Sequence, residues 1–151
     1  MALTLRAASA DDVEVLARIQ LAARKAAGAA FPPSVHEDAE LVPHLLADVL
    51  PVADAWLAER DGEPVGVLVI AGDLLDQLYV VPAAQGSGVG SALLAHAKAV
   101  RPDGLRLWVF VSNEPARAFY AARGFEPIGG SDGEANEERA PDLLLAWRGG
   151  R

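Results

Sequence analysis

The sequence predicts a single mixed α/β domain: an open sheet in which meandering strands come before βαβ-type crossovers. Three observations carry this. The chain has 151 residues, enough for one well-cored domain over 1–151 and little more. Its apolar runs read as strand, two helices, three strands, helix, strand, helix, two strands. A glycine-rich turn, Gln85-Gly86-Ser87-Gly88-Val89-Gly90, then joins an apolar strand to a helix in mid-chain. This order is not the strict alternation of a doubly wound sheet.

The first strand is the short alternating run Leu3 to Arg6. Ser9 offers an N-cap, and Asp11 and Asp12 sit in the first turn, where the helix dipole favours acids. Val15, Ile19, Ala22, Ala23 and Ala26 recur at helical spacing up to a stop at Gly28. The prolines of Phe31-Pro-Pro-Ser-Val-His36 require a loop. A weaker helix follows from Glu37 to Leu50, with an interruption expected near Pro43. Ala55–Glu59 and Pro64–Ala71 read as strands joined by the hairpin turn Arg60-Asp61-Gly62-Glu63. Leu74–Val81 is a third strand of this group, closed by Pro82. The helix from Gly88 to Val100 leads to Leu105–Val111, whose composition suggests a strand buried on both faces, with Trp56 and Trp108 as core strand residues. Helix Glu114–Arg123 ends at Gly124, and strands near Phe125–Ile128 and Leu143–Trp147 flank an acidic, Gly-containing loop.

Composition excludes several functions. The chain is 52% hydrophobic, too apolar for disorder. It has no cysteine, which removes disulfides, thiolate metal sites and cysteine nucleophiles. His36, His44 and His96 have no zinc spacing, so no metal is expected. A net charge of −8 argues against nucleic acid as a partner. No apolar run reaches the ~18–20 residues needed to cross a bilayer, and MALTLRAASADD lacks a secretory pattern. The expectation is a cytoplasmic protein with no membrane partner.

The glycine turn carries the chemistry. A strand ends, glycines permit close backbone approach, and a helix starts with free amides, which together make an anion site. A triphosphate loop would end in Gly-Lys-Ser/Thr, whereas this one continues Val89-Gly90-Ser91. A dinucleotide turn would follow the first strand, with an acid ending the next, and neither holds here. The pyrophosphate of a coenzyme A is the third class of ligand for such a loop, and a nucleotide-binding oxidoreductase domain stays open as the alternative of a different class.

The segment resembles the acyl-CoA loop of the GNAT family of N-acetyltransferases, Gln/Arg-x-x-Gly-x-Gly/Ala, at every fixed position. The run Val111-Ser-Asn113-Glu-Pro-Ala-Arg-Ala-Phe119-Tyr120-Ala-Ala-Arg-Gly124-Phe125 is similar to the same family's Asn…Phe-Tyr…Gly-Phe block. Asp61-Gly62-Glu63-Pro64-Val65-Gly66 resembles its third-strand opening. The resemblance implies a mixed, mostly antiparallel sheet of six to seven strands, with helices on both faces and a splayed central parallel pair. It implies acetyl-CoA as co-substrate and a primary amine, small or peptidic, as acceptor.

By the same resemblance the amides of Gln85, Gly86, Ser87, Gly88, Val89, Gly90 and Ser91 receive the pyrophosphate, and the main chain of Tyr79, Val80 and Val81 pairs with the pantetheine arm. An amide around Val80 meets the thioester oxygen, Asn113 contacts the cofactor arm, and Tyr120 donates a proton to the leaving thiolate. Asp76 is the candidate for taking the acceptor's proton. Plainer roles stand beside these: Asn113 as a helix cap, Tyr120 as packing beside Phe119, and Asp76 as a solvated strand residue. A non-catalytic acyl-CoA-binding protein is the other reading within the fold. His36, Phe31, Glu37 and Asp38 are expected to border the acceptor site, with the acidic loop Ser131–Arg139 at its mouth. His96 is expected to be packed or half-exposed. Many family members form dimers, so a homodimer is open, although no segment of this sequence fixes its surface.

Overall fold

The computed structural model describes residues 3–149. Strand β1 (Leu3–Ala7) leads through a 3-10 turn into helix α1 (Val13–Ala27). At the turn, the Asp12 carboxylate accepts from the Ser9 N–H at 2.9 Å and also holds Arg6, at 2.9 Å. The hairpin β2 (Asp54–Arg60) and β3 (Glu63–Ala71) follows, then β4 (Leu74–Val80), helix α3 (Val89–Val100), and β5 (Leu105–Phe110). Helix α4 (Glu114–Ala121) and strands β6 (Glu126–Ser131) and β7 (Asp142–Trp147) complete the chain. The strands form one seven-stranded sheet in the order β1-β2-β3-β4-β5-β7-β6. Every pair is antiparallel except β4 and β5, whose only paired position is Leu74 with Arg106. Beyond that point the two strands separate, as the resemblance implied.

Helices cover both faces. Leu57, Val67 and Val69 pack with Leu16, Ile19 and Leu45 on one side. Leu68 and Ile70 pack with Leu93, Leu94, Leu105 and Phe125 on the other. Successive strand residues point to opposite faces, so β3, with Val67 through Ile70 all buried, is the strand enclosed on both sides.

One expectation fails here. β5 is buried on one face only: Leu105, Leu107 and Val109 point inward, while Arg106 faces solvent and pairs with Asp73 at 2.9 Å. Trp108 is 50% exposed, since no helix covers that side of β5; Trp56 is partly buried against the core, as expected. The second helix is interrupted near Pro43, as expected, although not by the proline itself. Helix α2 (Leu41–His44) carries Pro43 in its first turn, where the missing N–H would have no intrahelical partner. The irregularity comes afterwards, as a π-helical turn over Leu45–Val49, closed by Leu50 N–H to Leu45 O at 2.9 Å. His96 lies edge-on to the Trp56 ring at 4.9 Å, a packed histidine. No helix among the described residues is long and apolar enough to cross a membrane.

Candidate active site

The register of β4 against β3 slips once. Ile70 opposes Leu75 and Val69 opposes Gln77, so Asp76 is an extra residue in a β-bulge. Farther along, the Val81 N–H donates to Val65 O on β3 at 2.9 Å. Neighbouring strand residues turn their backbone groups to opposite sides, so the Val80 N–H and C=O face away from β3, into the gap opened by the splay. The Val80 carbonyl accepts from Gln85 Nε2 at 3.0 Å.

After β4 the chain makes one 3-10 turn over Pro82–Ala84, in which the Gln85 N–H donates to Pro82 O at 3.3 Å. Gly86 and Gly88 then take φ of +76° and +93°, values that L side chains rarely adopt. Space is open where a Cβ would stand on either glycine. Gly88 is the N-cap of α3, so the first amides of that helix have no intrahelical acceptor. The loop is braced from behind. The Ser87 hydroxyl donates to Ala84 O and accepts from Arg60 Nη1 at 3.0 Å. Arg123 Nη2 donates to Ser91 Oγ at 2.8 Å, with its guanidinium 3.8 Å from the Phe119 ring centroid.

These parts enclose a cavity of about 590 Å³. Tyr79, Val80, Gln85, Gly86, Gly88, Gly90 and Ser91 line it from β4 and the loop, with Asn113 and Tyr120 from the α4 side. Val81, Ser87, Val89 and Asp76 do not line it. The Val81 amide is committed to β3 and the Val89 side chain is buried in the core. Gln85 lines the cavity with its own N–H already used in the turn, so its contribution is to hold Val80 O and shape the loop. The plainer roles of Asn113 and Tyr120 coexist with their place in the cavity. Asn113 Oδ1 caps α4 by accepting from the Ala116 N–H at 3.3 Å. Tyr120 packs edge-on to Phe119 and Phe125 at 5.2 and 5.3 Å.

Burial pushes the Tyr120 hydroxyl well above its ordinary pKa, and the nearby Tyr79 adds to the shift. Tyr120 is therefore a hydrogen-bond donor across the physiological range. Burial also raises Tyr79, against the pull of the Arg24 guanidinium. At the bulge, Asp76 keeps contact with solvent. Surrounding protein nonetheless pushes its carboxyl up, against the smaller opposing influences of His44 and of a hydrogen bond with Gln77. Sequence reasoning overlooked Arg60, Arg123 and Arg24, the last lying 4.6 Å over Phe31. Only the four-residue spacing of Phe119 and Arg123 on one helix face signalled any of them.

A sequence profile of the acetyltransferase (GNAT) domain matches residues 51–127, a stretch that includes β4, the glycine loop and α4. The chain belongs to the GNAT family. The peptidyl-lysine N-acetyltransferase YjaB of Salmonella typhimurium is 38% identical over 104 residues, which cover 68% of this chain and 71% of that protein. The solution structure of apo YjaB from Escherichia coli superposes with a TM-score of 0.72 at 29% identity, covering 99% of this chain and 100% of the other. The fold is shared with the PaiA N-acetyltransferase of Thermoplasma acidophilum, solved in complex with coenzyme A. There the TM-score is 0.72 at 18% identity, with 98% and 99% of the two chains covered. The protein is thus a GNAT-family N-acetyltransferase with the GNAT fold.

Proposed function

We propose that this GNAT enzyme transfers an acetyl group from acetyl-CoA directly to a primary amine in a ternary complex, with lysine side chains of peptides or proteins as acceptors. The cavity between β4 and α4 carries the reading, because it gathers backbone donors, the Val80 amide side of the splay and the Tyr120 hydroxyl. The name of the Salmonella typhimurium relative supports lysine as the acceptor. Acetyl-CoA supplies the thioester whose carbonyl carbon the amine attacks.

In this reading the amides of Gly86, Gly88, Gly90 and Ser91, the residues of this stretch that line the cavity, bind the pyrophosphate, with the α3 dipole behind them. Open space over both positive-φ glycines suits a bulky anion. The Arg60 guanidinium, bonded to Ser87 of the loop, and the Arg123 guanidinium, bonded to Ser91 in the first turn of α3, add positive field without filling it. Tyr79 and Val80 line the pantetheine path, and Asn113 closes it from the head of α4. The Val80 N–H, held in the sheet, donates to the oxygen on which charge develops. A preorganised donor of this kind is worth roughly 10²–10³ in rate.

As the amine nitrogen bonds to the carbonyl carbon and the C–S bond breaks, Tyr120 donates to the departing sulfur, and its phenolate takes back the surplus proton of the new amide nitrogen. A thiol of ordinary pKa near ~8.5 is a stronger acid than tyrosine in water. Burial penalises both anions, so the tyrosine and a thiolate beside it rise together in the same cavity. The acceptor ammonium must first lose its proton, and Asp76 at the bulge is the group assigned to receive it through water. Its raised pKa favours that role. No enzyme nucleophile takes part.

The test is release of free CoA from acetyl-CoA, followed with a thiol reagent over a panel of lysine peptides, polyamines and amino acids. The protein has no cysteine, so it contributes no background. Turnover with lysine peptides is expected. A rise in melting temperature with acetyl-CoA and no release from any amine would leave a binding protein and overturn the catalytic reading.

A further inference from the structure

Among the described residues, Phe31 alone lines both of two neighbouring cavities. On one side of its ring lies the cavity between β4 and α4. On the other lies a larger space of about 1050 Å³, with Leu21, Pro32, Pro33, Val111 and Pro141 in its walls. The ring is the partition between them.

Local chemistry sets that ring in place. A residue before proline is driven to extended backbone, and Phe31, ahead of Pro32, has φ −108° and ψ +144°. Its N–H donates to Gly28 O at 3.2 Å, at the end of the 3-10 turn Gly28–Ala30. The Ser112 hydroxyl, just past β5, donates to Ala30 O at 2.9 Å and ties this turn to the end of the strand.

The ring then spans the open end of the splay. Its centroid is 6.4 Å from that of Tyr79 on β4 and 6.3 Å from that of Phe110 on β5, the second contact edge-on at 77°. From α1 the Arg24 guanidinium covers it at 4.6 Å. Three elements therefore hold the side chain as a wall. Tyr79 also marks the reacting end of the donor cavity, because it is close enough to Tyr120 to act on its ionisation. With Tyr120 at the sulfur and the Val80 N–H at the carbonyl oxygen, the thioester lies beside Tyr79, the ring neighbour of Phe31.

We propose that Phe31 sets the length of the acyl chain this enzyme transfers: its ring ends the donor cavity just beyond an acetyl group, and longer chains collide with it. The inference rests on the proposed function for the position of the thioester and adds the acyl class to it. The C–N bond formed and the C–S bond broken are the same for every chain length. Phe31 acts by exclusion and moves no proton.

The experiment compares acetyl-, butanoyl- and hexanoyl-CoA on the full-length protein, with one lysine peptide as acceptor. In the wild type, kcat/KM should fall by at least about tenfold from acetyl to butanoyl and again to hexanoyl, since a fitted pocket discriminates by roughly 10–200-fold per methylene. Phe31→Ala opens the donor cavity onto the larger space, and hexanoyl-CoA should gain about a hundredfold relative to acetyl-CoA. Phe31→Leu keeps a bulky side chain and should retain the wild-type order. Calorimetry without an amine should give dissociation constants in the same order for each protein. The ratio between donors is the readout, because a variant that only loosens the fold lowers all three alike. A wild type that binds and transfers hexanoyl as well as acetyl overturns the partition, whether or not Phe31→Ala folds. An unchanged order in a folded Phe31→Ala overturns it too. Length-dependent binding that Phe31→Ala relieves, with no transfer to any amine, would instead overturn the catalytic reading and leave the partition standing.

Discussion

Tyr120 is both a core residue and the proposed proton donor, and its burial serves both roles. The ring contacts with Phe119 and Phe125 fix its position, and the same dry surroundings keep its hydroxyl protonated. Tyr120→Phe keeps the packing and removes the donor. Acetyl-CoA affinity should change little, while kcat falls by about 10²–10⁴, the usual share of a positioned proton donor. Binding by calorimetry and turnover by thiol release separate the two effects, and unchanged turnover removes Tyr120 from the mechanism. Asn113 carries two roles in the same way, as the α4 cap and as a wall of the cavity.

Helix α3 sits close over β3, and Gly66 sets the distance. A Cβ at Gly66 would stand 2.8 Å from Leu93 Cδ1, 3.0 Å from Val89 Cγ1 and 3.3 Å from Tyr79 O. Gly66→Val therefore has to push the helix outward, at a cost of about 1–3 kcal/mol. The helix carries the glycine loop at its N-terminus, so acetyl-CoA affinity should fall along with the denaturation midpoint. A midpoint equal to wild type would mean that the close approach is not limiting. Elements with a local signal were legible in the sequence: the Asp61-Gly62 hairpin, the glycine loop, and α4 between Asn113 and Gly124. β5 was misread because its apolar composition does not reveal that helix cover ends at β4, leaving Trp108 facing out. The bulge at Asp76 was invisible for a related reason, since a register slip depends on the partner strand. The interruption near Pro43 was legible, but its π-helical form was not, because a proline's effect depends on its position in the helical turn. The bracing of the loop by Arg60 and Arg123 depends on neighbours 27 and 32 residues away, beyond any local pattern.

Across the whole molecule, the α1–α2 connection and the β6–β7 connection are tied by one exposed histidine. His36 bonds Glu40 on its own connection and Glu137, 101 residues later. Glu137 first, then Glu40, holds the His36 pKa above its ordinary value. A histidine raised on folding stabilises fully below its unfolded pKa near ~6.5, and that contribution is lost as pH rises through the raised folded value. Titration of the His36 imidazole by NMR should give a midpoint above that reference, moving down in Glu137→Gln. An unperturbed midpoint in the wild type would mean that the tie does not persist in solution.

Between β4 and β5 the ladder is joined at a single paired position, Leu74 with Arg106. Strands β1–β4 and strands β5–β7 thus behave mechanically as two plates, fastened by Leu75, Leu105 and Leu107 in the shared core beneath α3. Force applied across the sheet would concentrate on this seam, because it has the fewest backbone bonds to share the load. A long ligand lying in the open part of the gap would act there as a splint.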